Sequence, residues 1–525
     1  MKFGEQIDGA VEWMLARVST KRAARRAHFR RMATDTDYAQ TFFALLRTRG
    51  YRAAENSRLS GKWTGGDGSA DAQILNDLPT LRNRSRELLR DDSIAKGLSR
   101  TFITNVIGTG LRPQANTDSE DKNARIEAVF CERQNKLFPA EDVDFGSAQR
   151  LVFGKTLEDG DHFVKPAKTS EEDPVWFESV EGDRCRWAPG LKGENGNEIR
   201  EGIEKDQYRR PVACWIAKGQ FNDAVSLGAS ASLKGAMDPT SYVRVPKELC
   251  IHLKFQERSG QTRGVPLFHT VMQDLRDLDL LLVAALKRTQ IGACLAAFIK
   301  SDSGIEDILA DSAKEYGFKL EQEIEPGMIF KLAPGEEIQT LVPNFPVPEL
   351  VPFVVLIARK IGAALGVSWQ IVLKDFSESN YSSARTDLLE SRATFLVMQE
   401  WFKQKFLQPV WEWVLEDAML RDDPRLADVT LDDIRQVTWI ANGWRWIDPV
   451  KEAQATQLLL QLGLTTLRDE CAALGKDYNE NIRQIAREQK AIAAAGVKLS
   501  GLSNTPAPVP EDQEVPVKRQ IRLAA

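Results

Sequence analysis

The sequence has few of the residues that bind metals or form disulfides. Its 525 residues include only 4 histidines and 6 cysteines. No C-x-x-C pair is present, and no two histidines stand at helical or zinc-finger spacing. Zinc sites and disulfide scaffolds require such clusters. We therefore predict reduced, mostly buried thiols and no bound metal or cofactor.

Long hydrophobic runs are missing as well. The longest apolar stretches, residues 280–286 and 291–299, are separated by a polar segment that contains Lys287 and Arg288. Neither approaches the roughly 20 residues of a membrane-spanning helix. Acidic residues near the N-terminus, at positions 5, 8 and 12, interrupt any signal-peptide core. We expect no membrane segment and a protein that stays in the cytoplasm where it is made.

A strong positive charge is also absent. The 70 Lys and Arg residues are offset by 75 Asp and Glu residues, so the formal net charge is -5. Domains that hold nucleic acid tightly are usually basic. With 42% hydrophobic and 28% charged residues, the composition is that of a globular soluble protein and excludes wholesale disorder or a fibre. At roughly 150 residues per domain, the length suggests about three or four structural units.

Nucleotide-binding and hydrolase motifs are broken or missing. Gly154-Lys155-Thr156 resembles the end of a phosphate-binding loop, but Gln149 stands where that loop requires a glycine. Gly108-Thr109-Gly110 lacks the third glycine of a dinucleotide fingerprint, so we predict that it ends a helix. The G-x-S-x-G turn of serine hydrolases is absent. These patterns favour a structural protein.

One acidic cluster leaves a catalytic alternative open. It spans residues 158–162, Glu-Asp-Gly-Asp-His. Two carboxylates at this spacing can bind Mg²⁺ for phosphodiester hydrolysis, which would make Asp159 and Asp161 the centre of a Mg²⁺-dependent nuclease. Asp and Gly also dominate turns for backbone reasons. The competing interpretation, which we favour, is a turn between a helix and a strand.

A basic helical arm is predicted near the N-terminus. Residues 13–34 contain no acidic residue, and they carry seven cations: Arg17, Lys21, Arg22, Arg25, Arg26, Arg30 and Arg31. Such an arm can lie on a membrane surface, on nucleic acid, on an acidic partner protein or on its own domain. At the other end, the tail from residue 503 is rich in proline and charge, and we expect disorder there.

Periodicity divides the rest of the chain into helical and β-rich regions. A helix is predicted over residues 76–100, with leucines inward and Arg82, Arg84, Arg86 and Arg90 largely outward, and it restarts at Ser93 to reach Gly108. Residues 158–255 contain short β-prone runs between Pro and Gly clusters. After them, the absence of proline predicts one long helix over residues 267–300, about 50 Å long at ~1.5 Å per residue.

Further helices are predicted toward the C-terminus. Residues 351–365 form an apolar helix, and a polar loop at 373–383 leads into a helix over 384–420 that Pro409 should kink. Three short helices follow with clear capping signals. The signals are Asp448-Pro449 at one start, Gly463 at one end, and Asp477 with Glu480 as a capping box.

Several segments resemble, in order, those of the lambda-type portal proteins of tailed phages. The segments are 51–54 (YRAA), 57–59 (SRL) with Trp63, 81–86 (LRNRSR), 105–110 (NVIGTG), 202–206 (GIEKD), 260–266 (GQTRGVP), 380–385 (NYSSAR) and 446–453 (WIDPVKEA). There are two local departures. Gly154-Lys155 stands where the family pattern has a Gly-Glu pair, and Arg209 replaces the glycine of a Gly-Arg-Pro turn. The resemblance covers nearly the whole chain.

The resemblance implies an α+β portal fold without catalytic activity. It implies a ring, usually of twelve copies, at one capsid vertex, where double-stranded DNA enters during packaging and leaves during ejection. Implied partners are the large terminase subunit, head-completion or tail connector proteins, and the major capsid or scaffold protein, with no membrane. The ring would nucleate procapsid assembly in the host cytoplasm and remain in the virion. On this interpretation the nuclease alternative would be an enzyme of the packaging system.

The resemblance also divides the chain into parts. They are an N-terminal basic arm (1–60), a wing (61–266), a first stem helix (267–300), a clip (301–348), a second stem helix (349–366), a tunnel loop (367–385), a long kinked wing helix with a connection (386–443), a helical crown (444–502) and a disordered tail (503–525). The arginines between residues 82 and 100 and the acidic stretch 321–325 are candidates for complementary faces between subunits.

The predicted tunnel loop has balanced charge and small polar side chains. We expect eight of its residues to face DNA: Lys374, Asp375, Ser377, Glu378, Ser379, Asn380, Ser382 and Ser383. A lumen rich in Lys and Arg would retain the duplex by releasing its counterions. A loop with one lysine among two acids and several serines instead predicts weak contacts that let DNA slide.

Overall fold

The computed structural model describes residues 68–170, 172–186, 192–219, 239–293, 297–301, 336–340, 350–377, 380–444 and 448–495. The predicted basic arm, the acidic stretch 321–325 and the proline-rich tail lie outside these residues. Only residues 301 and 336–340 of the predicted clip are described. The described residues from Ser69 onward belong to one unit, which mixes helices and sheets as the expected α+β class requires.

The first half of this unit places helices beside two small antiparallel sheets. Its helices are α1 (Ala70–Ile74), α2 (Leu78–Asp91), α3 (Ser93–Val106), α4 (Glu120–Arg133) and α5 (Phe145–Asp159). Its strands are β1 (Arg112–Ala115), β2 (Asp161–Ala167), β3 (Trp176–Glu181), β4 (Glu198–Arg200), β5 (Ile203–Lys205), β6 (Pro211–Ala217), β7 (Tyr242–Pro246) and β8 (Ile251–Lys254). The sheet orders are β3-β2-β8 and β4-β5-β6-β7.

The second half is mainly helical. After a 3₁₀ turn, Leu267–Thr270, come α6 (Met272–Ala293), β9 (Ala297–Ser301), β10 (Glu336–Thr340), α7 (Leu350–Leu365), α8 (Trp369–Leu373), α9 (Tyr381–Phe402), a π-helical turn (Lys403–Leu407), α10 (Gln408–Leu420), α11 (Leu431–Arg435), β11 (Val437–Ile440), α12 (Pro449–Gln461), α13 (Leu467–Ala473) and α14 (Tyr478–Ala495). Strand β11 returns to pair antiparallel with β1, and β10 pairs antiparallel with β9.

One aromatic core joins the two halves. Phe102 of α3 meets Phe395 of α9 edge to face at 5.4 Å between ring centroids, and Phe153 of α5 meets Phe402 at 5.6 Å. The Trp411 indole is fully buried and donates to the Ile434 carbonyl at 2.8 Å. Buried aromatic rings favour edge-to-face contacts, and a buried indole N–H favours a hydrogen-bond acceptor. The core thus joins α9 to α3 and α5, and α10 to α11.

The predicted helix over residues 267–300 is too long. Helix α6 ends at Ala293, so its 22 residues span about 33 Å at ~1.5 Å per residue. Residues 297–301 instead form β9, whose partner β10 lies 35 or more positions away. A run without proline is compatible with either structure, and the choice depended on this distant partner. The separate helix predicted over residues 351–365 is confirmed as α7.

The polar loop between α7 and α9 is shorter than predicted. Residues 369–373 form α8, and α9 begins at Tyr381 rather than at 384. Asn380 caps α9, because its Oδ1 accepts from the Ser383 amide at 2.8 Å. Ser382 and Ser383 therefore belong to the first turn of a helix. Asn and Ser favour both loops and helix starts, so their composition did not locate the boundary.

Helix caps and interruptions follow the sequence signals elsewhere. Asp448 caps α12 through the Lys451 amide, Gly463 has a φ of 67°, and Asp477 accepts from the Glu480 amide at 2.7 Å. Pro409 does not end the long helix. The π-helical turn just before it lets the Gln408 amide reach the Lys403 carbonyl, which rearranges the hydrogen bonds where proline lacks a donor.

The structure also shows that two glycine-containing motifs are not nucleotide-binding loops. Gly154 and Lys155 lie inside α5, so they form no phosphate-binding loop, and Gly108 follows α3 with a φ of 60°, as a helix stop requires. No helix in the described ranges has the combination of length and hydrophobicity needed to cross a membrane.

Candidate functional site

The segment 366–370, which precedes the loop 374–380, is held by contacts to α9. At its start, Gly366 has a φ of 68°, and its carbonyl accepts from Thr394 Oγ1 at 2.7 Å. The Ser368 amide donates to Ser391 Oγ at 3.1 Å, and Gln370 Nε2 donates to an Asp387 carboxylate oxygen at 2.7 Å. These bonds join α8 and the turn before it to α9, so the position at which the loop starts is fixed.

The loop itself presents polar side chains to solvent. Lys374 has a φ of 54°, in the left-handed region, and it forms no ion pair with any described residue. Asp375 accepts from the amide of Ser377 at 3.0 Å and from its hydroxyl at 2.7 Å, and these bonds lower the pKa of the Asp375 carboxyl. An exposed aromatic ring, that of Phe376, stands between them. The part of the loop described by the structure, residues 374–377, therefore presents one cation, one anion, one aromatic ring and one serine.

Six of the eight residues predicted to face DNA fall within the described chain, and all six are exposed: Lys374, Asp375, Ser377, Asn380, Ser382 and Ser383. Glu378 and Ser379 lie outside the described residues. The six are brought together on one short segment. Their approach to DNA stays a prediction.

Helices α6 and α7 pack against each other. Lys360 Nζ of α7 lies 2.7 Å from an Asp274 carboxylate oxygen of α6. Leu275 and Leu278 are buried in the core, but the apolar residues beyond them on α6 are not. Leu286 is 59% exposed, and Phe353, near the start of α7, is 51% exposed. In a single chain these two helices thus carry an uncovered apolar surface.

The acidic cluster at residues 158–162 is neutralised by arginines. Asp159 ends α5 and accepts two hydrogen bonds from the Arg86 guanidinium, at 2.7 and 2.6 Å. Asp161 begins β2 and is fully buried, with Arg82 Nη2 at 2.6 Å and Arg263 Nε at 2.5 Å. Gly160 between them has a φ of 87°. The turn interpretation is confirmed, and both carboxylates already hold cations.

Burial and charge act in opposite directions on these groups. Burial alone would raise the pKa of Asp161, but the Arg263 and Arg82 guanidiniums outweigh it and hold the pKa well below its ordinary value. The carboxylate is therefore charged at every physiological pH. Among the described residues, no group of three or more His, Cys, Asp or Glu side chains is arranged to hold a metal ion. The nuclease alternative gains no support.

The comparison with protein families decides the class. Residues 56–399 match the family described as phage portal protein, lambda family. The chain belongs to this family. It is thus a structural portal protein, and the resemblance seen in its short segments is confirmed.

Several curated relatives carry the same description. The chain is 24% identical over 468 residues to the probable portal protein of Halomonas phage phiHAP-1, a match that covers 86% of this chain and 88% of the relative. It is 29% identical over 313 residues to portal protein B of Escherichia phage lambda, covering 53% of this chain and 59% of that one. The portal protein of Escherichia phage N15 is 30% identical over 288 residues, covering 49% and 54%. The chain thus matches only a little more than half the length of the lambda and N15 proteins.

Solved structures with some similarity come from gene transfer agent (GTA) particles. A chain from the neck of an empty GTA particle, solved with C6 symmetry, has a TM-score of 0.41 at 13% identity, covering 80% of this chain and 97% of that one. A chain from the neck of the native particle, solved with C12 symmetry, has a TM-score of 0.40 at 12% identity, covering 75% and 93%.

The sequence did not reveal the buried ion pairs of this portal protein. Arg82 and Arg86 were expected to point largely outward, but Arg82 is buried and Arg86 is half-buried. Helical spacing places them on one face together, and that face covers β2 and the turn after β3. Arg263, in the segment GQTRGVP, is also buried. An arginine directly before a glycine was the available signal, but its carboxylate partner lies 102 positions away.

His252 provides a test of pH dependence for the same cluster. Its ring stacks on Phe163 at 4.3 Å and meets Asp161 Oδ2 at 3.3 Å. Burial lowers the His252 pKa from 6.5 to about 4. Below pH 6.5 the unfolded chain therefore binds a proton that the folded chain does not, so this contribution to stability is complete above pH 6.5 and is lost as the pH falls toward 4.

We expect His252→Phe to remove this pH dependence while it keeps the stacked ring. A one-unit pKa shift corresponds to about 1.4 kcal/mol. The free energy of unfolding of the native chain, minus that of the variant, should thus fall by about 3 kcal/mol between pH 7 and pH 4. Urea unfolding of both proteins at each pH measures it, and the subtraction cancels the titrating groups that His252 does not contact. A difference that does not change with pH would contradict the neutral buried ring.

Proposed function

We propose that this portal protein forms a ring, usually of twelve copies, at one capsid vertex and conducts double-stranded DNA into and out of the head. The observation that supports it is the uncovered apolar surface of α6 and α7. Apolar area removed from water contributes about 25 cal/mol per Å², and a monomer that leaves such a surface open forgoes that stabilisation. A ring of identical copies covers it by head-to-tail contacts between two different faces of each subunit.

Leu286→Asp is expected to weaken ring formation. Leu286 is 59% exposed in the single chain, and its loss should cost each subunit interface about 2 kcal/mol, since the new carboxylate would also have to be desolvated. Size-exclusion chromatography with light scattering measures the ring, which has a mass of about 700 kDa for twelve chains of 58.8 kDa. Negative-stain microscopy shows whether it has a central hole.

Leu420→Asp is the matched control for this experiment. Leu420 is 83% exposed and ends α10, away from α6 and α7. Its variant should form rings as the native chain does. Equal ring yields from both variants would contradict a subunit interface on these helices, and a native chain that remains monomeric at assembly concentrations would contradict the ring itself.

The loop 374–380 and the first turn of α9 would line the narrowest part of the channel. A net charge of -5 per chain amounts to about -60 for twelve, which opposes tight DNA binding. Each Lys or Arg that neutralises a phosphate strengthens binding in a salt-dependent way, and this segment presents one lysine beside Asp375. Short polar side chains such as that of Ser377 approach the DNA backbone without binding it tightly. A position of this segment at the outer rim of the ring would contradict this part of the proposal.

The remaining parts receive their roles from the family resemblance. The wing (61–266) and the helices at 386–443 would form the outer body, and the crown (444–502) would face the capsid interior. The clip (301–348) would contact the large terminase subunit during packaging and head-completion or tail connector proteins afterwards. The basic arm, with Arg17 to Arg31, would contact the acidic surface of a scaffold or major capsid protein while the ring nucleates the procapsid.

A further inference from the structure

An aromatic groove lies between the end of β8 and the helices α9 and α10. It has a volume of about 1060 Å³, and Phe255, Met398, Trp401 and Trp413 are among its lining residues. The Trp401 ring is held against Phe255 at 4.4 Å between centroids, and Trp413 is stacked on Phe177 at 5.8 Å. The walls are therefore rigid. The volume is at the upper end of the range for small-molecule sites, which suits a peptide segment.

The groove offers the two features by which proteins bind proline-rich peptides. Such peptides lie in aromatic-lined grooves and accept hydrogen bonds from indole N–H groups. Within the described chain, the indole nitrogens of Trp401 and Trp413 donate to no other group, although an indole can only donate. Val397, which also lines the groove, is 72% exposed. The groove thus presents aromatic surface, and its two indole N–H groups have no acceptor among the described residues.

The same chain contains a segment of matching chemistry. Residues 496–525 follow the last described helix, and within them residues 506–510 read Pro-Ala-Pro-Val-Pro. Proline at alternate positions favours the polyproline II helix, which at ~3.1 Å per residue makes this segment about 15 Å long. Three acidic residues follow at once: Glu511, Asp512 and Glu514. Lys405, on the groove wall, is exposed and pairs with no acid among the described residues, so it offers the complementary charge.

We propose that residues 506–510 of the tail bind in this aromatic groove as a polyproline II helix, with the acidic residues 511–514 beside Lys405. The proline rings pack against Trp401 and Trp413, and the indoles donate to tail carbonyls. The occupant is one defined segment of this chain, residues 506–510 of its tail. Its binding does not depend on the ring, so a chain that fails to form rings still tests it.

The test uses full-length protein in which the tail cannot bind its own groove. The variant chain carries three substitutions, Pro506→Ala, Pro508→Ala and Pro510→Ala, so that its own tail leaves the groove free. A fluorescent peptide of residues 500–525 is titrated against this triple variant and against the native chain. Because the native tail competes, we expect the peptide to bind the triple variant about tenfold more tightly. Fluorescence anisotropy measures how much peptide is bound, and a change in tryptophan emission reports that the peptide contacts the groove.

Two additional changes separate the groove from the rest of the surface. Val397→Asp, added to the triple variant, should weaken peptide binding about tenfold, because it places a charge on the apolar wall. Leu389→Asp is the matched control, since Leu389 lies on the same helix, is exposed and does not line the groove. Equal binding to both variants, no saturable binding, or equal binding of a peptide whose three prolines are alanine would each overturn the proposal.

Discussion

Asp161→Asn is expected to lower the free energy of unfolding by about 3–5 kcal/mol, the usual cost of breaking a buried ion pair by removing one partner. The Asp161 side chain is 0% exposed, and the two arginines that hold it, Arg82 and Arg263, are only 7% and 1% exposed. Asparagine has nearly the same shape but no charge. The variant would therefore leave two guanidiniums buried around a neutral amide, and neither arginine can lose its proton.

The position of this carboxylate enlarges the effect. Arg263 also donates to the Gly182 carbonyl at 2.7 Å and to the Glu201 carbonyl at 2.8 Å. Asp161 thus joins α2, β2, the turn after β3 and the segment that leads to α6. We expect the loss to appear as a lower urea midpoint at pH 7 and as less soluble protein.

Asp91→Asn is the control for the buried pair. Asp91 also forms an ion pair with an arginine, Arg90, at 2.9 Å, but there the two side chains are 60% and 70% exposed. Exposed pairs contribute little because water and salt screen them. The midpoint of this variant should remain close to that of the native chain. Similar midpoints for the Asp161 and Asp91 variants would show that burial does not control the strength of this interaction.

Gly160→Ala should be the second severe substitution, at a site that has no side chain. With a φ of 87°, an added Cβ would lie 2.2 Å from the Val265 carbonyl carbon and 2.5 Å from the Pro266 nitrogen. Left-handed backbone costs an alanine about 1–2 kcal/mol, and overpacking a rigid contact costs about 1–3 kcal/mol more. The obstacle is the backbone of residues 265 and 266, so rotation of a side chain cannot relieve it.

A second glycine separates the two causes of this loss. Gly260 has a φ of 79°, but a Cβ there would meet nothing within 4 Å. Gly260→Ala should thus cost only the left-handed term of about 1–2 kcal/mol, while Gly160→Ala costs about 2–5 kcal/mol. Urea unfolding of the two variants measures the difference. Equal losses would mean that the contact between residue 160 and the segment entering α6 contributes nothing.

Local signals in the sequence were sufficient for many elements. Asp448 and Pro449 mark the start of α12, and Gly463 marks its end, because a cap forms with amides only a few positions away. The break at residues 92–93 between α2 and α3 was equally readable, since the Asp92 side chain accepts from the Ala95 amide. The same locality explains the error at Ser382 and Ser383, whose composition suits a loop and a helix start alike.

Contacts between distant segments were not readable in the same way. Residues 297–301 became a strand only because residues 336–340 lie beside them. The six described residues of the predicted tunnel loop lie on one segment because they are neighbours in the chain, whereas the aromatic groove draws its walls from β8, α9 and α10. Periodicity shows which face of a helix is apolar, but it does not show which polar residue on the other face will be covered.

The sequence by itself determined the family of this protein, its mixed helical and β-rich organisation and the absence of a complete catalytic motif, since each depends on residues read in order along the chain. Only the tertiary structure decided that Asp159 and Asp161 form ion pairs rather than a metal site. Arg82 lies 79 positions before Asp161, and Arg263 lies 102 positions after it. A carboxylate binds whichever cation the fold brings within reach, and that choice is made by packing in three dimensions.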